Sequence, residues 1–504
     1  MMFVDLRSKG SLVVLGLWVF LVVNGIFLVI EGNQNNVVFE VQHKFKAIRN
    51  VHGGERGKGS WLTSLKNHDS YRHGRMLASL DLPLGGDGSP TDAALYFTKL
   101  SIGTPPQDYY VQVDTGSDIL WVNCAGCNKC PKKSSLGIDL TLYDIKASST
   151  GKSVSCDQDF CLNAFNAPSS DCKVGYPCEY SVTYGDGSST GGYFVRDYAR
   201  FNQVSGNLQT TTMNGTIVFG CSSQQSGELD SSTEAVDGII GFGQANSSII
   251  SQLALAGKVK KVFSHCLDGI NGGGIFAIGE VVQPKLNSTP LVQNEPHYNV
   301  VMNTIEVGGD ALDLPTDVFG GGSGSGTIID SGTTLAYLPD DVYTPLMGKI
   351  MASQPNLKIH IVETQFKCFV YSGNIDDGFP VVTFHFEGSL SLTVYPHEYF
   401  FDLNDDQWCI GWQNKGMQTR DGREVILLGD LALSNKLVLY DLENQTIGWA
   451  EYKCSSSIKV RDGTSGNVYT VGSHILSSAC GLNTGKLLRF LLLIVVPFLC
   501  KLIK

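Results

Sequence analysis

The amino-acid sequence predicts a mainly β molecule of two lobes, related by pseudo-twofold symmetry about a central cleft. Three observations carry that expectation. Short β-rich runs recur along the chain, among them Tyr109-Tyr110-Val111-Gln112-Val113, Gly215-Thr216-Ile217-Val218-Phe219 and Leu390-Ser391-Leu392-Thr393-Val394, separated by Gly, Asn, Asp and Ser. The 57 glycines suit the many tight turns of such a fold. One segment is used twice: Val111-Gln112-Val113-Asp114-Thr115-Gly116-Ser117, then Ile119-Leu120-Trp121, matches Thr327-Ile328-Ile329-Asp330-Ser331-Gly332-Thr333, then Leu335-Ala336-Tyr337.

Each copy reads as a strand, an Asp-Thr/Ser-Gly-Ser/Thr turn and an apolar stretch with an aromatic seven positions after the Asp. Each is followed by an apolar-apolar-Gly element, Ile239-Ile240-Gly241 and Leu427-Leu428-Gly429. One ancestral lobe used twice explains the pattern. Sustained helical periodicity is confined to residues 249–256 and 340–352. The Gly/Ser run 320–326 lies one residue from an Ile-Ile pair and reads as a hairpin loop inside a lobe.

The chain of 504 residues is long enough for two lobes that each bury a core, and 17% charged against 42% apolar residues is a globular composition. A net charge of −11 argues against nucleic acid as a partner. The charge is uneven: residues 33–80 carry eight Lys/Arg against three Asp/Glu, and residues 81–486 carry 24 against 43. A basic leader held on an acidic body, and loosened when acid neutralises the carboxylates, is the expectation.

Both ends read as targeting signals. Residues 12–30 are almost wholly apolar, follow Arg7 and Lys9 and give way to Asn33-Gln34-Asn35-Asn36, as in a secretory signal peptide; an uncleaved signal anchor is the alternative. At the other end, small residues Ser477-Ser478-Ala479, a polar spacer and the apolar stretch 487–500 make a GPI-attachment signal, with Ser478, or Ser477, as the attachment residue and a short tail anchor as the alternative.

Of 14 cysteines, twelve lie between Cys124 and Cys454, which predicts six disulfides in an oxidising compartment. Cys-x2-Cys is also a zinc spacing, but the partner pairs and histidines of a zinc site are missing, so no metal is expected. Asn214, Asn246, Asn287 and Asn444 are glycosylation sequons.

A lone Asp-Thr/Ser-Gly triplet is an ordinary turn. Two, one per half, on matched strands, point to chemistry. Each strand delivers its Asp to the cleft floor, and Thr115 and Ser331 cross-link the two loops. Two carboxylates about 3 Å apart cannot both ionise and share one proton. The charged member then activates a water while the protonated member polarises a carbonyl and later protonates the leaving amine. Asp114 and Asp330 are therefore the expected catalytic pair. No cofactor is needed.

On these motifs the chain resembles the pepsin-family aspartic proteases, and more closely the plant nepenthesin-like branch with GPI anchors, over residues 95–454. The resemblance implies the bilobal pepsin-like fold. Asp-Thr-Gly-Ser at 114–117 and Asp-Ser-Gly-Thr at 330–333 match the two catalytic signatures, and Gly116, Ser117, Gly332 and Thr333 are the implied loop supports. Thr333 is expected to donate to Asp330 and keep its pKa low. Tyr184-Gly185-Asp186-Gly187-Ser188 matches the flap, with Tyr184 closing over substrate and bonded to Trp121. The mobile tip is assigned to Gly185 and Gly187. Asp237-Gly238 and Gly429-Asp430 match family positions and are read as structural. The implied disulfides are Cys124–Cys127, Cys130–Cys221, Cys156–Cys178, Cys161–Cys172, Cys266–Cys454 and Cys368–Cys409.

The expected activity is aspartic endopeptidase, acting as a monomer on protein or peptide substrates, with cleavage between bulky apolar residues implied by the family. The alternative is a catalytically silent relative serving as a binding or inhibitor protein. The partition is a signal peptide at 1–32 and a propeptide at 33–80, its end extending to about 95. An N-terminal lobe follows at 95–285, a C-terminal lobe at 286–455, a polar stem at 456–478 and a removed GPI signal at 479–504. The expected location is the outer face of the plasma membrane. Residues 66–77, with Arg72 and Arg75, read as the end of the leader.

Overall fold

The computed structural model describes residues 77–476, apart from 92–93, 166–171, 232–233, 316–317, 320–325, 363–365, 405, 415–416, 419–423 and 464. The signal peptide, most of the leader, most of the 320–326 loop, Ser477, Ser478 and the apolar tail lie outside the described residues.

The body is built mainly of strands, because its apolar positions recur with period two between turn residues. In the first half the long strands Ser189–Gly206 and Gln209–Ser226 pair antiparallel along their whole length. The two halves meet in one sheet. Its order runs from Asn287–Pro290 through Thr446–Glu451, Lys436–Asp441, Val262–Leu267, Gly274–Ile278 and Leu80–Asp81 to Ser189–Gly206. The sequence boundary at 285/286 thus falls beside strands that both halves share. Fully buried Phe242, Phe263, Phe276, Tyr298 and Tyr440 form the aromatic layer where they join. The helical periods become Ile249–Leu255, capped by Ser248, and Asp340–Met351, with Asp340 and Asp341 in its first turn and Lys349 in its last.

Three expectations are corrected. First, the body starts before residue 95: Leu80–Asp81 is paired on both sides, to Gly274–Ile278 and to Ser189–Gly206, and Leu80 and Leu84 are fully buried. Processing beyond Asp81 would pull a strand out of the sheet.

Second, residues 456–478 are not a polar stem. Ser457–Arg461 and Val468–Gly472 form a hairpin that adds to Glu280–Gln283, because alternate residues Ile458, Val460 and Val471 are buried against Cys266, Ile275 and Leu437. The chain then returns to the N-terminal strands: His474 Nε2 meets the Asp81 carboxylate at 2.9 Å and Leu476 N donates to Leu84 O at 2.7 Å.

Third, eight cysteines exchange partners. The bridges are Cys124–Cys221, Cys127–Cys130, Cys156–Cys172 and Cys161–Cys178, with Cys266–Cys454 and Cys368–Cys409 as the family pattern implies. Strand Leu120–Asn128 lies parallel to Gln209–Ser226 with Val122 opposite Cys221, which brings Cys124 to 5.4 Å (Cα–Cα) from Cys221. Cys161 and Cys178 are both buried in the cluster of Val154, Phe160 and Phe194, so they meet inside it and leave Cys156 and Cys172 to pair at its edge.

Candidate active site

Asp114 ends the strand Gln107–Asp114, and Asp330 follows the strand Thr327–Ile329. Each strand is held by the repeated apolar-apolar-Gly element. Gly238–Gly241 runs parallel to residues 111–114, and Leu427–Leu428 runs parallel to Ile328 and Ile329. Phe242 N donates to Asp114 O at 2.7 Å, and Asp330 N donates to Leu428 O at 3.0 Å. Both aspartates are 6% exposed.

The two loops grip each other. Thr115 N donates to Ser331 O at 3.1 Å, and Ser331 N donates to Thr115 Oγ1 at 2.8 Å. Asp114 accepts from Gly116 N at 2.8 Å and from Ser117 Oγ, while Asp330 accepts from Thr333 Oγ1 at 2.8 Å. Each glycine lies against the opposite carboxylate. A Cβ on Gly116 would stand 2.6 Å from Asp330 Oδ2, and one on Gly332 would stand 2.1 Å from Asp114 Oδ1. Only glycine at both places lets the two carboxylates face each other this closely.

Burial raises the Asp114 pKa, and the neighbouring Asp330 charge raises it further, to about 7, against donation from Ser117 and Gly116. Burial raises Asp330 as well. Thr333 does donate to it, but that donation does not hold the pKa low as expected, because burial outweighs the donors. The pair therefore retains a proton well above the ordinary carboxylate range.

The hairpin joining Glu179–Thr183 to Ser189–Gly206 stands over the site. Tyr184 N donates to Ser188 O at 2.9 Å and Gly187 N to Tyr184 O at 3.0 Å, closing a tip in which Gly187 takes φ +85°. Gly185 is exposed beside it. Trp121 Nε1 donates to Tyr184 Oη at 2.7 Å, and Asp114's charge reaches Tyr184 and helps raise its pKa after burial.

Of the two residues read as structural, Asp237 is one: its carboxylate accepts from Tyr110 N at 2.8 Å and Thr141 N at 2.6 Å. Asp430 is closer to the chemistry. It is buried, its Oδ1 has no hydrogen-bond partner among the described residues, and the charges of Asp330 and Asp114 add to burial in raising its pKa. Its place after Leu427-Leu428-Gly429 was the one sequence signal that it lies near the pair. The sequence reading also passed over His297, whose charge reaches Asp114. The four sequon asparagines, Asn214, Asn246, Asn287 and Asn444, are all exposed.

A bilobal β body with one aspartate loop per half, gripped face to face beneath a hairpin flap, defines the aspartic-proteinase class, and this chain belongs to that family. It is 54% identical to aspartic proteinase 36 of Arabidopsis thaliana, over 94% of this chain and 95% of the relative. Aspartic proteinase 39 of the same plant is 52% identical over 90% and 92%. Nepenthesin-1 of Nepenthes gracilis is 28% identical over 77% and 85%. The family models described as xylanase inhibitor N-terminal and C-terminal match residues 96–280 and 297–451. Among solved structures, basic 7S globulin from soybean superposes with a TM-score of 0.58 at 22% identity, covering 74% of this chain and 96% of that one. That likeness speaks to the fold alone.

Proposed function

We propose that this protein is an active aspartic endopeptidase, working as a monomer on protein or peptide substrates at the outer cell surface. The observation that carries the reading is the intact, mutually gripped pair of Asp114 and Asp330. The ionised member takes a proton from a water whose oxygen attacks the scissile carbonyl. The protonated member donates to that carbonyl oxygen, and the amine leaves with a proton returned from the pair as the C–N bond breaks. Tyr184, held by Trp121, covers the substrate.

This chemistry needs one proton on the pair. With Asp114 raised to about 7, the working form persists through the acid range and is lost as pH rises through that value. Acidified protein mixed with denatured globin is expected to cleave it, with activity falling towards neutral pH. Asp114→Ala or Asp330→Ala should remove about 10²–10⁴-fold or more of the rate. The xylanase-inhibitor family models favour one second reading, a silent binding protein. Folded parent protein that cleaves nothing between pH 3 and 6 would establish it over ours.

The apolar leader and tail in the sequence support secretion and a GPI anchor at Ser478 or Ser477. A phospholipase that cuts GPI anchors should release the protein from membranes, and retention would favour a spanning tail. The exposure of Asn214, Asn246, Asn287 and Asn444 supports glycosylation there.

A further inference from the structure

The strand that carries Asp114 also carries a polar side chain that the dyad chemistry leaves unused. Gln112 lies two residues before Asp114 on Gln107–Asp114. Alternate residues of a strand point to one face about 7 Å apart, so its amide stands one substrate side chain away from the carboxylate. The sheet register sets its neighbours on that face: Gln112 pairs with Phe97 on Leu95–Ile102 and with Ile239 on Gly238–Gly241, and Ile239 pairs in turn with Trp121. Phe97, Ile239 and Trp121 are buried, and Tyr184 of the flap packs on the cluster that holds Ile239 and Trp121. Gln112 is half-buried in this otherwise apolar row, on the flap's side of the sheet.

The amide's orientation follows from its one partner. Gln112 Nε2 donates to Gly332 O at 3.3 Å, across to the loop of Asp330. A carbonyl only accepts, so the nitrogen must face it and Oε1 is turned away. Oε1 and the second amide hydrogen meet no bonding partner among the described residues. The duplication shows that the fold does not require a polar residue here. The second copy has Ile328 at the matching place, 4% exposed and packed with Val425 and Leu427. A strand and its aspartate loop therefore form with an aliphatic residue in this position, and the glutamine is peculiar to the first copy.

We propose that Gln112 is a specificity-determining residue, whose free amide groups bond a polar side chain, an amide or a hydroxyl, on a substrate residue flanking the scissile bond. A substrate that closes over the row removes water from the amide. A polar side chain replaces that water with a hydrogen bond, whereas a bulky apolar one leaves a buried donor and acceptor unpaired. A site built to bond a polar group rejects the analogue that lacks it. The family resemblance implies bulky apolar residues on both sides of the cut; Gln112 makes one side polar.

The proposal rests on the endopeptidase reading, and its test separates the two. Bonds cut in denatured globin are mapped by mass spectrometry, and peptides on the best-cut site carry Gln or Leu at each flanking residue in turn. At one flanking position the Gln-over-Leu ratio of kcat/KM should fall about tenfold in Gln112→Met, which keeps the chain length and drops the amide. Gln112→Ile, which copies the second repeat, should do the same. The ratio cancels any loss of rate common to both peptides. A ratio unchanged within twofold at both positions in the folded variants overturns the proposal and leaves Gln112 a tie between the loops. Should the parent protein cut no globin, the endopeptidase reading falls. Globin-sequence peptides with Gln or Leu beside a reduced, uncleavable bond are then titrated into the parent and Gln112→Met. A Gln preference lost in the variant upholds the role of Gln112 in a silent binder, whereas equal affinities, or no binding at all, overturn it.

Discussion

Two buried carboxylate sites in this molecule titrate in opposite directions. Asp197, 2% exposed, accepts from Tyr143 Oη at 2.7 Å, Ser148 Oγ at 2.6 Å, Thr150 Oγ1 at 2.5 Å and Tyr198 N at 2.7 Å. Burial raises its pKa, but the hydroxyl donors outweigh burial and bring it below the ordinary value. Asp114 and Asp330 lie deeper among protein atoms and have fewer donors; burial raises both, and the Asp330 charge raises Asp114 further. Depth, donor supply and neighbouring charge together separate a carboxylate that holds structure from a pair that handles protons.

Four changes would break or sharpen that contrast. Gly332→Ala should cost the most: its Cβ would sit 2.1 Å from Asp114 Oδ1, forcing the carboxylates apart, and kcat should fall about 10²-fold. A fall confined to thermal stability would mean the pair tolerates separation. Asp197→Asn should lower stability by about 1–3 kcal/mol in denaturant at neutral pH while leaving kcat per folded molecule unchanged. Because Asp197's folded pKa is depressed, its contribution is present above the unfolded value and lost as pH falls; the deficit should shrink in acid.

Asp114→Asn should do the reverse. A folded pKa raised to about 7 means the parent loses stability as pH rises from the unfolded value towards 7. The variant should therefore melt about 2–5 °C above the parent at pH 7 and level with it below pH 4. Equal melting at both pH values would place the cost of the pair elsewhere. Trp121→Phe is the mildest for catalysis, removing the hydrogen bond to Tyr184 together with part of a buried ring; kcat/KM should drop about 2–10-fold, with some loss of stability.

The catalytic loops were legible in the sequence because their chemistry is local: Asp, a small hydroxyl residue and Gly must be adjacent, and the duplication repeats them. The helices 249–255 and 340–351 were legible from periodicity. The partners of Cys124 and Cys161 were not, because strand register and burial in a side cluster decide them. The 457–472 hairpin was hidden among polar and glycine residues, with only Ile458, Val460 and Val471 to mark a buried face. The burial of His265 carried no signal at all: one histidine in the run Val262-Phe263-Ser264-His265-Cys266-Leu267 finds its partner only in Tyr440, 175 residues later, through strand pairing.

The last described segment also fastens the first one described. Ser79 Oγ donates to Arg461 O across 382 residues, and His474 reaches Asp81 across 393. During synthesis the opening strands leave the ribosome long before these partners exist. Their exposed edges must wait, open to wrong pairing, until almost the whole chain has emerged. A molecule stopped short of residue 457 is expected to need a chaperone's cover, whereas the finished chain closes its own seam.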